Sequence, residues 1–147
     1  MDIAIIPAKS YSSRLPNKNV KNLFGKPIIY YAINKALKSK CFKKVFVSTD
    51  SEKIRNLSIK LGADKHELRS SKFAKDETTL LDLFSYESKR IKKIYPSVKN
   101  ICCILPTALF FTSKQIKESK IKLMNDKKLK FSFICSGILV FVKQFAH

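Results

Sequence analysis

Three short apolar runs, each closed by a loop-forming residue, constrain the fold of this chain more than any other feature. Ile3 to Ile6 stops at Pro7, Val45-Phe46-Val47-Ser48-Thr49 stops at Asp50, and Ile101 to Leu105 stops at Pro106. Their length and β-branched content read as strands, and the Ile101 run is apolar throughout, as a central parallel strand covered on both faces would be. Amphipathic stretches of helical period lie between them. Pro27 reads as the first residue of a helix through Ile28, Tyr31, Ala32, Ala36 and Leu37. Ser51 reads as the start of a second, with Ile54, Leu57, Ile59 and Leu61 following and Gly62 as its stop. Thr78 to Lys93, with Leu80, Leu81, Leu83 and Phe84 toward the core, and Ser113 to Asn125 read as two more. Lys65 to Leu68 is a weak strand candidate, and Phe131 to Val142 can supply one or two final strands. The alternation predicts an α/β fold, Rossmann-like and doubly wound, with a mostly parallel sheet. No helical stretch follows residue 142 to close such a sheet, so the fold reads as truncated at the C-terminal side. At 147 residues the chain reads as a single, incomplete domain, 1–147.

In such a sheet the loops that leave the carboxyl ends of the strands share one edge, where ligands bind. The first of these loops, Pro7 to Asn19, carries three cations, Lys9, Arg14 and Lys18, among small and polar residues. Cations and backbone N–H groups at this place can hold a polyphosphate, with Ser12 as a further donor. The competing reading is a plain surface loop in a lysine-rich protein. Neither a G-x-x-x-x-G-K-[ST] loop nor a G-x-G-x-x-G turn occurs, and three glycines, Gly25, Gly62 and Gly137, cannot line a cradle.

Other positions on the same edge are less specific. Asp50 can orient a ligand hydroxyl, or cap the following helix. Arg69, with Asp76, Thr78 and Thr79, can read a base or ribose, or Thr78 or Asp76 can simply cap the start of a helix. Thr107, after Pro106, can face a nucleotide.

The net charge is +19, from 30 Lys and Arg against 11 Asp and Glu. The lysines are scattered through every predicted element instead of forming one stripe, which argues against a nucleic-acid binder and for solvated faces with an anionic substrate. Cys41, Cys102, Cys103 and Cys135 lack metal-ligand spacing, and Cys102 and Cys103 fit buried thiols in a reducing cytoplasm. His66 and His147 carry no ligand or base pattern and read as incidental. No run of 18 or more apolar residues occurs and no signal-peptide pattern is present, so no membrane span is expected.

Taken in order, these segments resemble the acylneuraminate cytidylyltransferase family. The first loop is similar to its P-A-R-x-G-S-K-R-x-P-x-K-N signature at Pro7, Ala8, Ser12, Arg14, Pro16, Lys18 and Asn19. F-G-K-P at Phe24 to Pro27, V-S-T-D at Val47 to Asp50, Leu68-Arg69, and Asp76 to Thr79 with Asp82 follow in family order. Cys102-Cys103-Ile104-Leu105-Pro106-Thr107-Ala108 is similar to the pseudaminic acid branch. Lys9 stands where the family has arginine, and Ser10-Tyr11 and Ser13 where close relatives have Gly-Gly and Lys.

The resemblance implies transfer of CMP from CTP to a nonulosonic acid of the pseudaminic or sialic type, with Mg²⁺ and release of pyrophosphate, for surface glycan synthesis. It implies a homodimer, triphosphate contacts from Lys9, Arg14 and Lys18, and nucleotide contacts from Ala8, Ser12, Asn19, Arg69, Asp76, Thr78, Thr79 and Thr107. Asp50 is the metal-ligand candidate. Two alternatives stand beside this one: a CTP-binding remnant without catalysis, and a basic nucleic-acid-binding protein.

Overall fold

The computed structural model describes residues 1–13, 15–75, 77–134 and 139–143. β1 (Asp2–Pro7) runs into the long first loop, and a small hairpin follows, β2 (Asn22–Leu23) with β3 (Lys26–Pro27). Phe24 and Gly25 form its two-residue turn with φ of 49° and 78°, the left-handed pair a tight hairpin requires. Next come α1 (Ile28–Ser39), β4 (Lys44–Ser48), α2 (Glu52–Lys60), α3 (Leu80–Ile94), β5 (Asn100–Ile104), α4 (Ser113–Asn125), β6 (Phe131–Ile134) and β7 (Leu139–Lys143).

The main sheet has the order β4-β1-β5-β7-β6. β1 pairs in parallel with β4 on one side and β5 on the other, whereas β7 is antiparallel to both β5 and β6. The chain therefore leaves β1 toward β4, then crosses back over β1 to form β5. That reversal makes a switch point between β1 and β5, where their departing loops diverge and leave a crevice.

Alternation along the strands sends side chains to two cores. Ala4, Ile6, Val45, Val47, Cys102 and Ile104 pack with Ile29, Ile33 and Ala36 of α1, Ile54 of α2, and Ile116 and Leu123 of α4. Ile3, Ile5, Phe46 and Ile101 face the other way, onto Ile91 and Phe84 of α3. Helices on both faces make the sheet doubly wound. Each fully buried isoleucine contributes about 1.5–3 kcal/mol, which is why all three parallel strands read so clearly as apolar runs.

Several local expectations change. Pro27 is the N-cap of α1, extended at φ −63° and ψ 144°, because it also pairs in the hairpin. Residues 65–68 form no strand. Asp64 makes a single bridge to Phe46, and its carboxylate accepts the Val45 N–H at 2.9 Å, taking up the donor that a longer pairing would use. Leu81 is 79% exposed, since α3 turns Leu83, Glu87 and Ile91 inward instead. No helix among the described residues is long and apolar enough to cross a membrane.

Candidate active site

A cleft of about 210 Å³ opens at the switch point, beyond the carboxyl ends of β1 and β5. Pro7, Lys9, Lys18 and Asn19 line one side and Leu105, Pro106 and Thr107 another. Arg69, Phe73, Lys75, Thr78, Thr79, Leu80 and Leu83 close the third. Four cationic residues thus meet one small, open cavity floored by apolar side chains, a composition suited to a polyphosphate joined to a flat, partly apolar group.

The first loop is tied down at three places. The Ala8 N–H donates to the Ser48 carbonyl at 2.8 Å, continuing the β1–β4 pairing by one residue. The Ser10 N–H and hydroxyl donate to the two oxygens of Asp50, at 2.8 and 2.5 Å. The Asn19 amide, itself buried, donates to the Lys9 carbonyl at 3.0 Å and folds the far end of the loop back. These bonds present Lys9 and Lys18 toward the same cavity. The Ala8 amide is committed to the strand, and Ala8 is not part of the cleft lining. Asn19 likewise acts here on the loop backbone. Ser12 lies outside the cleft lining, and Arg14 and Asp76 lie outside the described residues.

Asp50 does not cap α2. Ser51 does, its hydroxyl accepting from the Ile54 N–H. Both oxygens of Asp50 are engaged by Ser10, and the Arg69 guanidinium stands 3.8 Å away. Partial burial pushes the Asp50 carboxyl up, but the Ser10 hydrogen bonds and Arg69 outweigh this and hold it below its ordinary value. The role the structure gives this carboxylate is to anchor the loop. Among the described residues no group of three or more His, Cys, Asp or Glu is placed to hold a metal.

Arg69 is the most deeply set cation of the cleft, at 4% exposure. Its backbone N–H donates to the Thr49 carbonyl at 2.9 Å, which pins the segment beside the end of β4. Burial pulls its guanidinium pKa down, while Asp50 and Glu87 oppose this; an arginine remains charged throughout. Its Nε is buried without a hydrogen-bond partner among the described residues.

Behind Arg69 lies a polar cluster that the sequence reading missed. Glu87, fully buried, accepts from the Ser48 hydroxyl at 2.6 Å and from Arg90 Nη1 at 3.1 and 3.2 Å, and its other partner is His66 Nε2 at 3.1 Å. His66 also stacks on Phe46, with ring centroids 4.6 Å apart. It is a structural member of the core and not incidental, because its ring covers Phe46 while its nitrogen meets a buried carboxylate. Burial pushes Glu87 up, but His66, Ser48 and Arg90 more than compensate and hold it below the ordinary value. The signal was present in the period of α3, where Leu83, Glu87 and Ile91 fall on one buried face.

Thr79 is the cap of α3, in place of Thr78 or Asp76. Its hydroxyl accepts from the Asp82 N–H while Asp82 reaches back to the Thr79 N–H, a capping box. Thr78 lines the cleft, with its hydroxyl 3.4 Å from the Lys72 carbonyl. Thr107 is exposed and lines it too. Phe73 and Lys75 were not foreseen. Phe73 stacks on Tyr86 at 4.0 Å, and nothing in its sequence neighbourhood marks it. Lys35 of α1 was also missed; its ammonium donates to the Leu109 carbonyl at 2.5 Å and lies 4.7 Å from the Phe111 ring, holding the loop that carries Thr107.

A family model described as Cytidylyltransferase matches residues 3–132, which takes in every wall of this cleft. The chain belongs to the cytidylyltransferase family. A pseudaminic acid cytidylyltransferase and UDP-2,4-diacetamido-2,4,6-trideoxy-beta-L-altropyranose hydrolase of Helicobacter pylori is 34% identical over 134 residues, covering 91% of this chain and 26% of that protein. The CMP-N,N'-diacetyllegionaminic acid synthase of Legionella pneumophila is 35% identical, covering 80% of this chain and 50% of that protein. A pseudaminic acid cytidylyltransferase of Campylobacter jejuni is 29% identical, covering 90% and 56%. This cytidylyltransferase chain thus spans from about a quarter to just over half the length of these relatives.

The fold agrees with solved structures. A CMP:2-keto-3-deoxy-manno-octonic acid synthetase complexed with CTP superposes with a TM-score of 0.74 at 19% identity, over 88% of this chain and 50% of that one. A cytidylyltransferase from Leptospira borgpetersenii does so with a TM-score of 0.74 at 16% identity, over 97% of this chain and 60% of that one. At such identities the likeness establishes the shared fold, and the cytidylyltransferase assignment rests on the family match.

Proposed function

We propose that the cleft binds CTP and that the chain supplies the nucleotide-binding part of an enzyme transferring CMP to a nonulosonic acid. The observation that carries this is the meeting of Lys9, Lys18 and a buried Arg69 in one small cavity at the switch point. Lys9 and Lys18, with Arg14 of the same loop, take the triphosphate. Arg69, Thr78 and Thr107 face the nucleoside, and the apolar floor of Leu83, Leu105 and Pro106 lies against it. The relatives' names, together with the Cys102 to Ala108 segment, favour a pseudaminic acid type of acceptor.

In this reading a hydroxyl of the acceptor attacks the α-phosphorus of CTP and gives up its proton to solvent, the bond from that phosphorus to the α–β bridging oxygen breaks, and pyrophosphate leaves with the bonding electrons. The cations of the first loop hold the triphosphate in place and stabilise the charge that gathers on the departing pyrophosphate. Mg²⁺ enters as part of the nucleotide complex. The described residues form no cage of their own for it, and Asp50 is engaged with Ser10. We assign the reaction to the cytoplasm, where CTP is made, and the free thiols Cys41, Cys102 and Cys103 suit that compartment.

A second reading, a chain that binds CTP without transferring CMP, rests on Lys9 and Ser13 standing where the family loop has arginine and lysine. A lysine offers a point charge where arginine offers a bidentate fork. Thermal-shift titrations with CTP, UTP, ATP and GTP, each with and without Mg²⁺, test nucleotide choice. Pyrophosphate release with CTP and pseudaminic acid then separates the two readings. The proposal predicts a melt raised by CTP alone, an effect lost in Arg69→Ala. A melt raised equally by all four would reduce the cleft to a nonspecific anion site.

A further inference from the structure

The carboxylate of Asp50 touches both halves of the cleft. On one side it accepts two hydrogen bonds from Ser10, in the loop that carries Lys9 and Lys18. On the other it stands 3.8 Å from the guanidinium of Arg69, which lines the opposite wall. Ser10 and Arg69 come from segments 59 positions apart, one following β1 and the other following α2, and Asp50 at the end of β4 lies between them. Thr49, its neighbour, also accepts the Arg69 backbone N–H, so the same strand end fixes both the main chain and the side chain of Arg69.

We propose that Asp50 is a positioning residue that couples the phosphate loop to Arg69, so that the two walls of the cleft are set together. The Ser10 hydroxyl is the distinctive part. A hydroxyl at this position gives the loop a second bond to Asp50 beyond the one any residue's N–H can make. A loop fixed by both oxygens of one carboxylate holds that carboxylate in a single orientation, and Arg69, buried beside it, is oriented by its charge. The dependence runs both ways, because a coupling free energy is reciprocal. Arg69 keeps the Asp50 carboxylate in place for Ser10 just as Ser10 keeps it in place for Arg69. No metal is required for this, and no atom of Asp50 need touch a ligand.

The inference rests on the CTP reading only for its effect on ligand affinity. The coupling itself belongs to the ligand-free protein and is tested there first. Amide hydrogen exchange is followed at Ser10, with Ile5 of β1 and Ile116 of α4 as internal references. Arg69→Gln, which does not touch Ser10, is expected to speed exchange at Ser10 about fivefold, in line with the coupling between members of one hydrogen-bonded network. The reference amides keep their rates. The reciprocal measurement follows the Arg69 Nε–H resonance in Ser10→Ala and Ser10→Thr. The alanine variant shifts it and the threonine variant, which keeps the hydroxyl, restores it.

Unchanged exchange at Ser10 in Arg69→Gln, or an Arg69 resonance that ignores Ser10→Ala, overturns the proposal. Equal acceleration at Ile5 and Ile116 overturns it as well, since Arg69 would then be supporting the fold in general. CTP with Mg²⁺ supplies the last arm. Combining Ser10→Ala with Arg69→Lys should weaken CTP binding by less than the product of the two single losses, by about fivefold. Simple multiplication of the two losses counts against coupling. A wild-type protein indifferent to CTP removes the nucleotide assignment, while the exchange and resonance results still decide the role of Asp50.

Discussion

Replacing Glu87 by glutamine removes one charge from the cluster behind Arg69 and changes almost nothing in shape. The carboxylate is fully buried and accepts from Ser48 at 2.6 Å and from Arg90 at 3.1 and 3.2 Å, with His66 at 3.1 Å. Glutamine keeps one acceptor oxygen and turns the other into an NH₂ that must face a donor. Breaking a buried ion pair by removing one partner costs about 3–5 kcal/mol. Arg90 is partly exposed and can rehydrate, so the lower end, about 3 kcal/mol, is the figure to test. For a chain of this size that corresponds to a fall in Tm of about 6–12 °C.

The pH dependence sharpens the test. Glu87 has a folded-state pKa below its ordinary value of 4.5, so the unfolded chain binds the proton more readily. Its contribution is therefore fully present above that value and is lost as pH falls through the folded pKa. Urea unfolding of wild type and Glu87→Gln at a series of pH values reads the difference directly. The gap should be full at pH 7 and close progressively below about pH 4.5. A gap under about 1 kcal/mol at pH 7, or one that persists unchanged into acid, would refute the assignment of this cluster as a satisfied buried ion pair.

Other outcomes follow from single contacts. Lys35→Met gives up the bond to the Leu109 carbonyl and the contact with the Phe111 ring, so stability should fall by about 1–2 kcal/mol and CTP affinity should fall with it, as urea unfolding and calorimetry will show. Thr79→Ala breaks the capping box of α3 and should cost about 1 kcal/mol, with faster amide exchange confined to its first turn. Burial pushes the Cys103 thiol up to about 12 and the Cys102 thiol well above its ordinary value. At pH 8 a thiol reagent should therefore modify Cys41 in the native protein while these two react only after unfolding, as mass mapping of the labelled peptides can establish.

The parts of this molecule that the sequence made legible are those where one physical rule dominates. Ile3 to Ile6, Val45 to Ser48 and Ile101 to Ile104 are strands because both faces of the sheet are covered, and largely apolar runs leave little else for them to be. Lys9 and Lys18 meet at the cleft because a parallel sheet gathers its departing loops at one edge. What escaped depends on pairs distant in sequence. Ser48, His66 and Glu87 each look ordinary alone, and only the packing of α3 over β4 joins them. Asp50 offered three tasks from sequence, and the structure adds a fourth, because Ser10, forty positions away, is anchored to both its oxygens. The cap of α3 moved from Thr78 to Thr79 because Asp82 lies three residues beyond the latter, as a capping box requires.

The most direct measurement of the central claim is amide and side-chain chemical-shift mapping as CTP with Mg²⁺ is added to the isotope-labelled protein. The account predicts saturable shifts grouped at Lys9, Lys18 and Asn19, at Arg69 to Leu83, and at Leu105 to Thr107, with UTP giving markedly weaker changes. Shifts scattered over the lysines of the whole surface, or centred at the opposite end of the sheet around Asp2, Lys43 and Lys99, would contradict it.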